Sequence, residues 1–452
     1  MTPLRTALCL LVALGLAGCD FFDPDRVTNA DSPTVDAVQG GATEAQLQDL
    51  VSGLEERHRG YTDDASDITQ LFGSFGREVY AAYSSDPRFI TNWLGLDGVT
   101  PDPEFFADAA SYDEPYQAIK QANTLIDAVN NTEAVTETAR AGYIGFAQTI
   151  QGYQYLIPLQ AQYRNPDGSI RIDVSDPLNP GPFLPYDEAL TRIRQRLDDA
   201  NDNLGQAGAE FDFVLTAGFD GFDTPAGMQQ VNRAIAARAA LYAEDWQGAL
   251  DALDDSFFAL EGGEASMNVG VTHTFGAPPD VFNPLFYPRN ANTSQILMVH
   301  PSMIADALPG DERVPLKFFE RDTPITNPDL GSIELFYQDN RFDSETASVP
   351  YLRNEELILI YAEASARLDR PGDAVEAIDV IRETWGLDPY TGATDLESLI
   401  DEILFQRRYS LWAEGGHRWI DARRTDRLDE IPTDLDGGQV FTRLVRPLSE
   451  TL

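Results

Sequence analysis

Cys19 carries the most specific chemistry in this 452-residue chain, because it closes the run Leu16-Ala17-Gly18-Cys19, the small-small-Cys box of a bacterial lipoprotein. Cleavage before Cys19 leaves its thiol to carry lipid and its amino group free for a further acyl chain. Two or more chains, at ~0.8 kcal/mol per buried CH₂, anchor a protein stably where one does not. Arg5 supplies the positive start of a signal segment, and the apolar run Ala7–Leu16 is ten residues long. That is too short to cross ~30 Å of hydrocarbon and fits a cleaved signal. The expected division is therefore a signal over residues 1–18, a lipidated Asp/Pro/Thr/Gly-rich tether over 19–42, and a folded domain over 43–452. Cys9 leaves with the signal and Cys19 is modified, so no disulfide, Cys nucleophile or Cys metal site is expected.

Nothing else in the chain has the spacing of a catalytic device. The four histidines, His58, His273, His300 and His417, are scattered, and there is no H-E-x-x-H, G-x-S-x-G or G-x-x-x-x-G-K. Carboxylate pairs carry no information where 74 of 452 residues are acidic. The expectation is a binding protein, not an enzyme, with no cofactor and no metal. Two segments hold the flat aromatic faces and planar polar groups that suit a sugar or peptide. One is Arg77–Asp97, with Arg77, Tyr83, Arg88, Asn92 and Trp93. The other is Phe282–Arg289, with Phe286, Tyr287 and Arg289, joined by Tyr337 and Asn340. Trp93 is the favoured stacking face, since its neighbours are polar and Gly-rich; the competing reading is that these rings cover the helices beneath them.

Charge narrows the partners. The formal net charge is −42, and Lys120 and Lys317 are the two lysines among 32 basic residues, leaving 32 − 2 = 30 arginines. A surface of that sign repels a phosphate backbone, so nucleic acid is excluded as a partner. It also repels itself at low ionic strength. Near 1 M salt the Debye length falls to ~3 Å, so the composition points to a salt-rich habitat.

The elements that must position these residues read as helical. Thr43 with Gln46 forms a capping-box pattern for a helix to about His58. Apolar stripes follow at Ile119–Val129, Tyr143–Ile157, Leu190–Leu197, Val231–Leu241, Trp246–Phe257, Leu357–Leu368 and Ala374–Trp385. No alternating run is long enough for a major sheet. Ala239–Leu253 aligns with Ala364–Ile378 at a constant offset of 125, small residue on small and apolar on apolar. A helix, a tight turn and a second helix is the tetratricopeptide-type unit, which buries its apolar face by stacking on neighbours. The expected fold is all-α, a tetratricopeptide-like solenoid core with long insertions near 61–112, 162–186, 206–226 and 262–350, lengths that usually carry function.

The order of motifs resembles the SusD/RagB family of outer-membrane nutrient-binding lipoproteins. Tyr116, Ile119, Ala122 and Asn123 are similar to its early helix, and Arg140, Ala141, Tyr143, Phe146, Pro158 and Leu159 to its next one. Leu357, Tyr361, Ala362, Glu363 and Ala364 resemble a later one. Asp311 with Arg313 resembles its Asp-x-Arg element, and Arg407, Leu411, Glu414, Gly415, Arg418, Trp419 and Asp421 its C-terminal signature. Gln406 and Ser410 stand where the signature has Glu. The resemblance implies a non-enzymatic lipoprotein on the outer face of the outer membrane. It further implies a SusC-like TonB-dependent transporter as partner and an oligosaccharide or peptide as ligand. The alternative is a tetratricopeptide-type scaffold lipoprotein that binds only protein.

Overall fold

The structure is a computed structural model that describes residues 41–62, 67–104, 109–176, 179–292 and 294–450; Cys19 and the signal lie outside the described residues. The capping box forms as read: the Thr43 side chain accepts from Gln46 N–H while the Gln46 side chain accepts from Thr43 N–H, starting α1 (Glu44–His58). After the short α2 (Ile68–Phe75) come α3 (Glu114–Asn130), α4 (Glu137–Gln162) and α5 (Tyr186–Gln206); α3 packs on α1, α4 on α3 and α5 on α4 along their apolar stripes. Then α6 (Pro225–Tyr242) and α7 (Trp246–Asp254) form one helical hairpin, and α8 (Asn354–Arg367) and α9 (Pro371–Thr384) form another. α10 (Leu396–Ser410) and α11 (His417–Arg424) close the chain order of long helices. The mostly helical, tetratricopeptide-like class is what the periodicity predicts.

The repeat at offset 125 is a repeat of turn geometry as well as of sequence. Glu244 and Asp369 both take left-handed φ, 55° and 58°. The N–H of Asp245 reaches the Ala240 carbonyl at 3.0 Å, and the N–H of Arg370 reaches that of Ser365 at 2.9 Å. Each is the six-to-one bond of a Schellman cap, which satisfies the last carbonyls of α6 and α8 and turns the chain at once into the next helix. Small residues set how closely helices approach. A Cβ on Gly152 of α4 would lie 2.3 Å from Leu197 Cδ2, and one on Gly145 would lie 2.6 Å from Leu204 Cγ.

The segment between the two hairpins leaves and returns at one place. Asn354, 95 positions after Ala259, donates from Nδ2 to the Ala259 carbonyl at 2.8 Å and accepts from the Ala259 N–H at 2.9 Å. Within the excursion the chain forms strands that the helical reading does not include: β2 (Gly270–His273), β3 (Leu297–Val299), β4 (Phe318–Thr326), β5 (Glu334–Asp339) and β6 (Val349–Arg353). With β1 (Val79–Ala81) they make a small antiparallel sheet in the order β1-β3-β5-β4 and a two-stranded one of β2 and β6. These strands are short, and several are buried on both faces, so they carry little period-two signal.

The C-terminal half is built around buried ion pairs. Glu414 accepts from Arg353 Nε at 2.8 Å and Nη2 at 2.9 Å and lies 3.6 Å from Lys317 Nζ; Arg353 also bonds Glu355. Arg313 holds Asp311 at 2.9 and 2.8 Å and donates to Ser410 Oγ at 2.8 Å, so Ser410 is an acceptor where the family signature has a carboxylate. Asp421 and Glu363 are bridged by Arg424, and Asp421 also takes Arg407 Nε at 2.6 Å. Burial alone raises the Glu414 carboxyl, but Arg353 and Lys317 outweigh it and bring it down to about 2.

Candidate ligand-binding surface

The two sequence segments, some two hundred residues apart, do converge. Tyr83 and Tyr287 place their hydroxyls 3.0 Å from each other, Tyr83 donates to Gln70 at 2.5 Å, and Asn327 donates to the Tyr83 carbonyl at 3.1 Å. The N–H groups of Ala82 and Ser84 bond the Ile296 and Ser294 carbonyls at 3.0 and 2.9 Å, so residues 82–84 run beside 294–296. Their aromatic rings, however, turn inward. Trp93 is 0% exposed and belongs to the main core, edge-on to Phe89 with ring centroids 4.9 Å apart; Phe89 in turn meets Tyr83 at 4.6 Å. Trp93 and Tyr83 are thus core residues in this conformation, the reading in which the rings cover what lies beneath them. Arg77 is corrected likewise. It is fully enclosed and grips Asp436 through Nε at 2.8 Å and Nη2 at 3.0 Å, which ties the first segment to the C-terminal one.

Five of the predicted residues keep surface. Arg88 is exposed and holds Asp86 through two parallel hydrogen bonds of 3.0 and 2.6 Å, and Asn92 is half-buried just after that one-turn helix. Phe286 is half-buried. Tyr287 is half-buried too, but its hydroxyl is spent on Tyr83 and its pKa is driven up by desolvation and by that neighbour. Arg289 is exposed and lies over the Phe319 ring at 5.1 Å while its Nε donates to Asn340 Oδ1 at 2.8 Å.

Around Arg289 a platform forms on the hairpin of β4 and β5. Phe319 pairs with Gln338 across the hairpin, and Phe336, two residues along on the same face, is 42% exposed. Asn290, at φ 59°, donates from Nδ2 to Asp322 Oδ2 at 3.0 Å and accepts the Asp322 N–H at the same length. Buried Gln338 is the post beneath: its Nε2 donates to the carbonyls of Tyr287 and Pro288 at 3.2 and 3.3 Å, and its Oε1 accepts from Asn290 N–H at 3.1 Å and from Arg321 at 2.5 Å. An arginine stacked on phenylalanine offers a flat face and forked donors, and Phe336 adds an apolar one. Phe319, Phe336, Asn290 and Asp322 were missed from sequence. Their signal, the aromatic pairs Phe318-Phe319 and Phe336-Tyr337, becomes legible once the two runs are known to pair.

A deep recess lies elsewhere among the described residues. It is a cleft of about 1070 Å³ between α10, α11 and the one-turn helix Ser302–Ala305, and none of the residues predicted for ligand binding lines it. Among the described residues no group of three or more His, Cys, Asp or Glu is placed to hold a metal, and no helix is long and apolar enough to cross a membrane.

Known proteins share this architecture. Residues 337–443, which include β6 and α8 to α11, match the SusD family. A SusD-like protein P38 from Formosa agariphila is 32% identical over 112 residues, which is 23% of this chain and 22% of that relative's length. Surface glycan-binding protein A from Bacteroides thetaiotaomicron, solved with laminarihexaose, superposes with a TM-score of 0.67 at 13% identity, over 90% of this chain and 97% of that one. The fold is SusD-like. A SusD superfamily protein from Parabacteroides distasonis aligns at a TM-score of 0.68 and 15% identity, over 90% of this chain and 96% of that one. The part of the SusD-like chain matched by sequence is the half knit by buried ion pairs, where Arg407, Glu414, Trp419 and Asp421 stand.

Proposed function

We propose that this SusD-like chain is a lipid-anchored outer-membrane protein, facing outward, that captures a nutrient oligosaccharide and delivers it to a SusC-like TonB-dependent transporter. The observation that carries the reading is the Arg289–Phe319 stack with Asn340 and Phe336, an exposed platform for a sugar ring on the fold of a protein solved with laminarihexaose. Pyranose C–H faces pack on the aromatic surface, and hydroxyls meet the forked donors of Arg289 and the amides beside it. Cys19 supplies the anchor, and catalysis has no part in the role. Peptide is the competing ligand, with the same platform.

Calorimetric titration with laminarin-type oligosaccharides, preceded by a glycan array at high salt, tests this. Arg289→Ala should weaken binding by about 1 kcal/mol, roughly fivefold, through the lost donors to ligand, with the melting temperature lowered only slightly because the side chain is exposed. A protein that binds no glycan at all, or binds equally well without Arg289 and Phe336, overturns the assignment. For the anchor, Cys19→Ser should move the protein from the membrane fraction to the soluble one.

A further inference from the structure

The cleft of about 1070 Å³ has one end where His300, Arg408 and Arg418 stand together beside Asp306, in a chain whose formal net charge is −42. His300 lines it and is fully buried. Its Nδ1 accepts the Ser302 N–H at 3.2 Å and sits 2.8 Å from Ser302 Oγ, so the ring proton of the neutral form is on Nε2. Nε2 has no hydrogen-bond partner, and such a buried donor is rare without a reason. Three arginines line the same cleft, and Arg427 is already paired with Asp401 and Glu430. Arg408 is fixed by Ser302 Oγ at 2.8 Å and Asp306 at 2.8 Å. Arg418 donates to the Arg77 carbonyl at 2.8 Å and has no carboxylate within 4.0 Å among the described residues. Burial and the Arg408 guanidinium act against its charge, and the more distant carboxylates of Glu78 and Asp306 offset them only in part.

We propose that the His300–Arg408–Arg418 end of this cleft binds a single oxyanion, a carboxylate or a sulfate ester, carried on a small and otherwise uncharged ligand. An oxyanion there accepts from Nε2 and from Arg418, while Arg408, held by Asp306, adds positive charge beside it. The remainder of the lining fixes the rest of the ligand. Leu404, Phe405, Ile431 and Pro432 give an apolar wall, while Glu397, Asp426 and Asp434 give a negative rim. That rim rejects a chain of repeated charges, so a polysulfated or phosphate-rich polymer does not enter. A sugar acid with one carboxylate has the size and charge that the cleft accommodates. This site is separate from the Arg289 platform and does not depend on the function proposed for it.

The probes are sodium sulfate, glucuronate and heparin, each titrated into the intact domain at constant ionic strength with sodium chloride as the reference. Glucuronate should bind with saturation and raise the melting temperature beyond the chloride control, sulfate should do so more weakly, and heparin should not. If sulfate binds at least as tightly as glucuronate, the site is one for a free inorganic anion and the ligand class named here is wrong. Arg418→Gln should weaken glucuronate binding at least tenfold. Should that variant fold poorly, Arg408→Gln serves in its place. Glu397→Gln should leave affinity equal or improved. Binding of glucuronate no tighter than chloride, or binding by the arginine variants at wild-type strength with only stability lowered, overturns the proposal and leaves Arg418 a structural residue.

Discussion

Two helical hairpins of the same design sit in surroundings held together by different means. The α6–α7 pair stacks in a region of close apolar contact, where Gly145 and Gly152 of α4 let α5 approach until one added methyl collides. The α8–α9 pair sits in a region threaded with buried charge, where Arg353, Glu355, Glu414, Lys317, Glu363, Arg424, Asp421 and Arg407 neutralise one another. Identical turn geometry therefore does not require identical adhesion. In the first region volume is the sensitive quantity, and in the second it is charge. Many of the chain's scarce cations are drawn into the interior of the second region, so the excess carboxylate is left at the surface.

The sharpest way to break this comparison is to remove one carboxylate from the network. Glu414→Gln keeps the shape but leaves Arg353 and Lys317 buried with one counter-charge fewer, and should cost about 3–5 kcal/mol by chemical denaturation. The pH dependence has a definite sign. The Glu414 carboxyl titrates at about 2 in the fold against 4.5 unperturbed, so its contribution is complete above 4.5 and is lost as pH falls toward about 2. Wild type should lose stability across that window, and the Gln variant should lose less. If the variant is as stable as wild type at neutral pH, charge is not what holds this half together.

Gly152→Ala tests the other half. Its Cβ meets Leu197 at 2.3 and 2.7 Å, and forcing α4 and α5 apart should cost about 1–3 kcal/mol, with no change in acid sensitivity. Raising salt separates surface from interior. The melting temperature of wild type should rise by several degrees between low salt and about 1 M as carboxylate repulsion is screened. The penalty of Glu414→Gln should be nearly unaltered by the same salt, because its partners are shielded from solvent. A flat or falling melting temperature would show that surface repulsion does not limit stability.

The helices were legible because burial on one side writes a 3.6-residue period into the sequence, and the stripes at Tyr143–Ile157 and Leu357–Leu368 lie on α4 and α8. The duplicated turn was legible as an offset, although its left-handed residues, Glu244 and Asp369, have no glycine to announce them. The platform was half legible. Arg289 and Asn340 could be chosen by type, but whether an aromatic in a loop faces out depends on what the loop returns to. Trp93 and Tyr83 looked free because Gln70 and Tyr287, which take up the Tyr83 hydroxyl, come from other segments, and because Phe89 of their own segment turns inward with them. The oxyanion end of the cleft left no local trace at all, since His300, Arg408 and Arg418 meet only in three dimensions.

The Asn354 clamp on Ala259 has a bearing on how such a molecule can change. A chain that departs and returns through one side-chain amide tells the helices on either side nothing about the length of the journey. Doubling that journey adds only about 0.6 kcal/mol of closure entropy. The 95-position excursion that bears the platform can therefore be lengthened, pruned or exchanged as a block while the second hairpin keeps its place against the first, so ligand preference and architecture are free to be inherited separately.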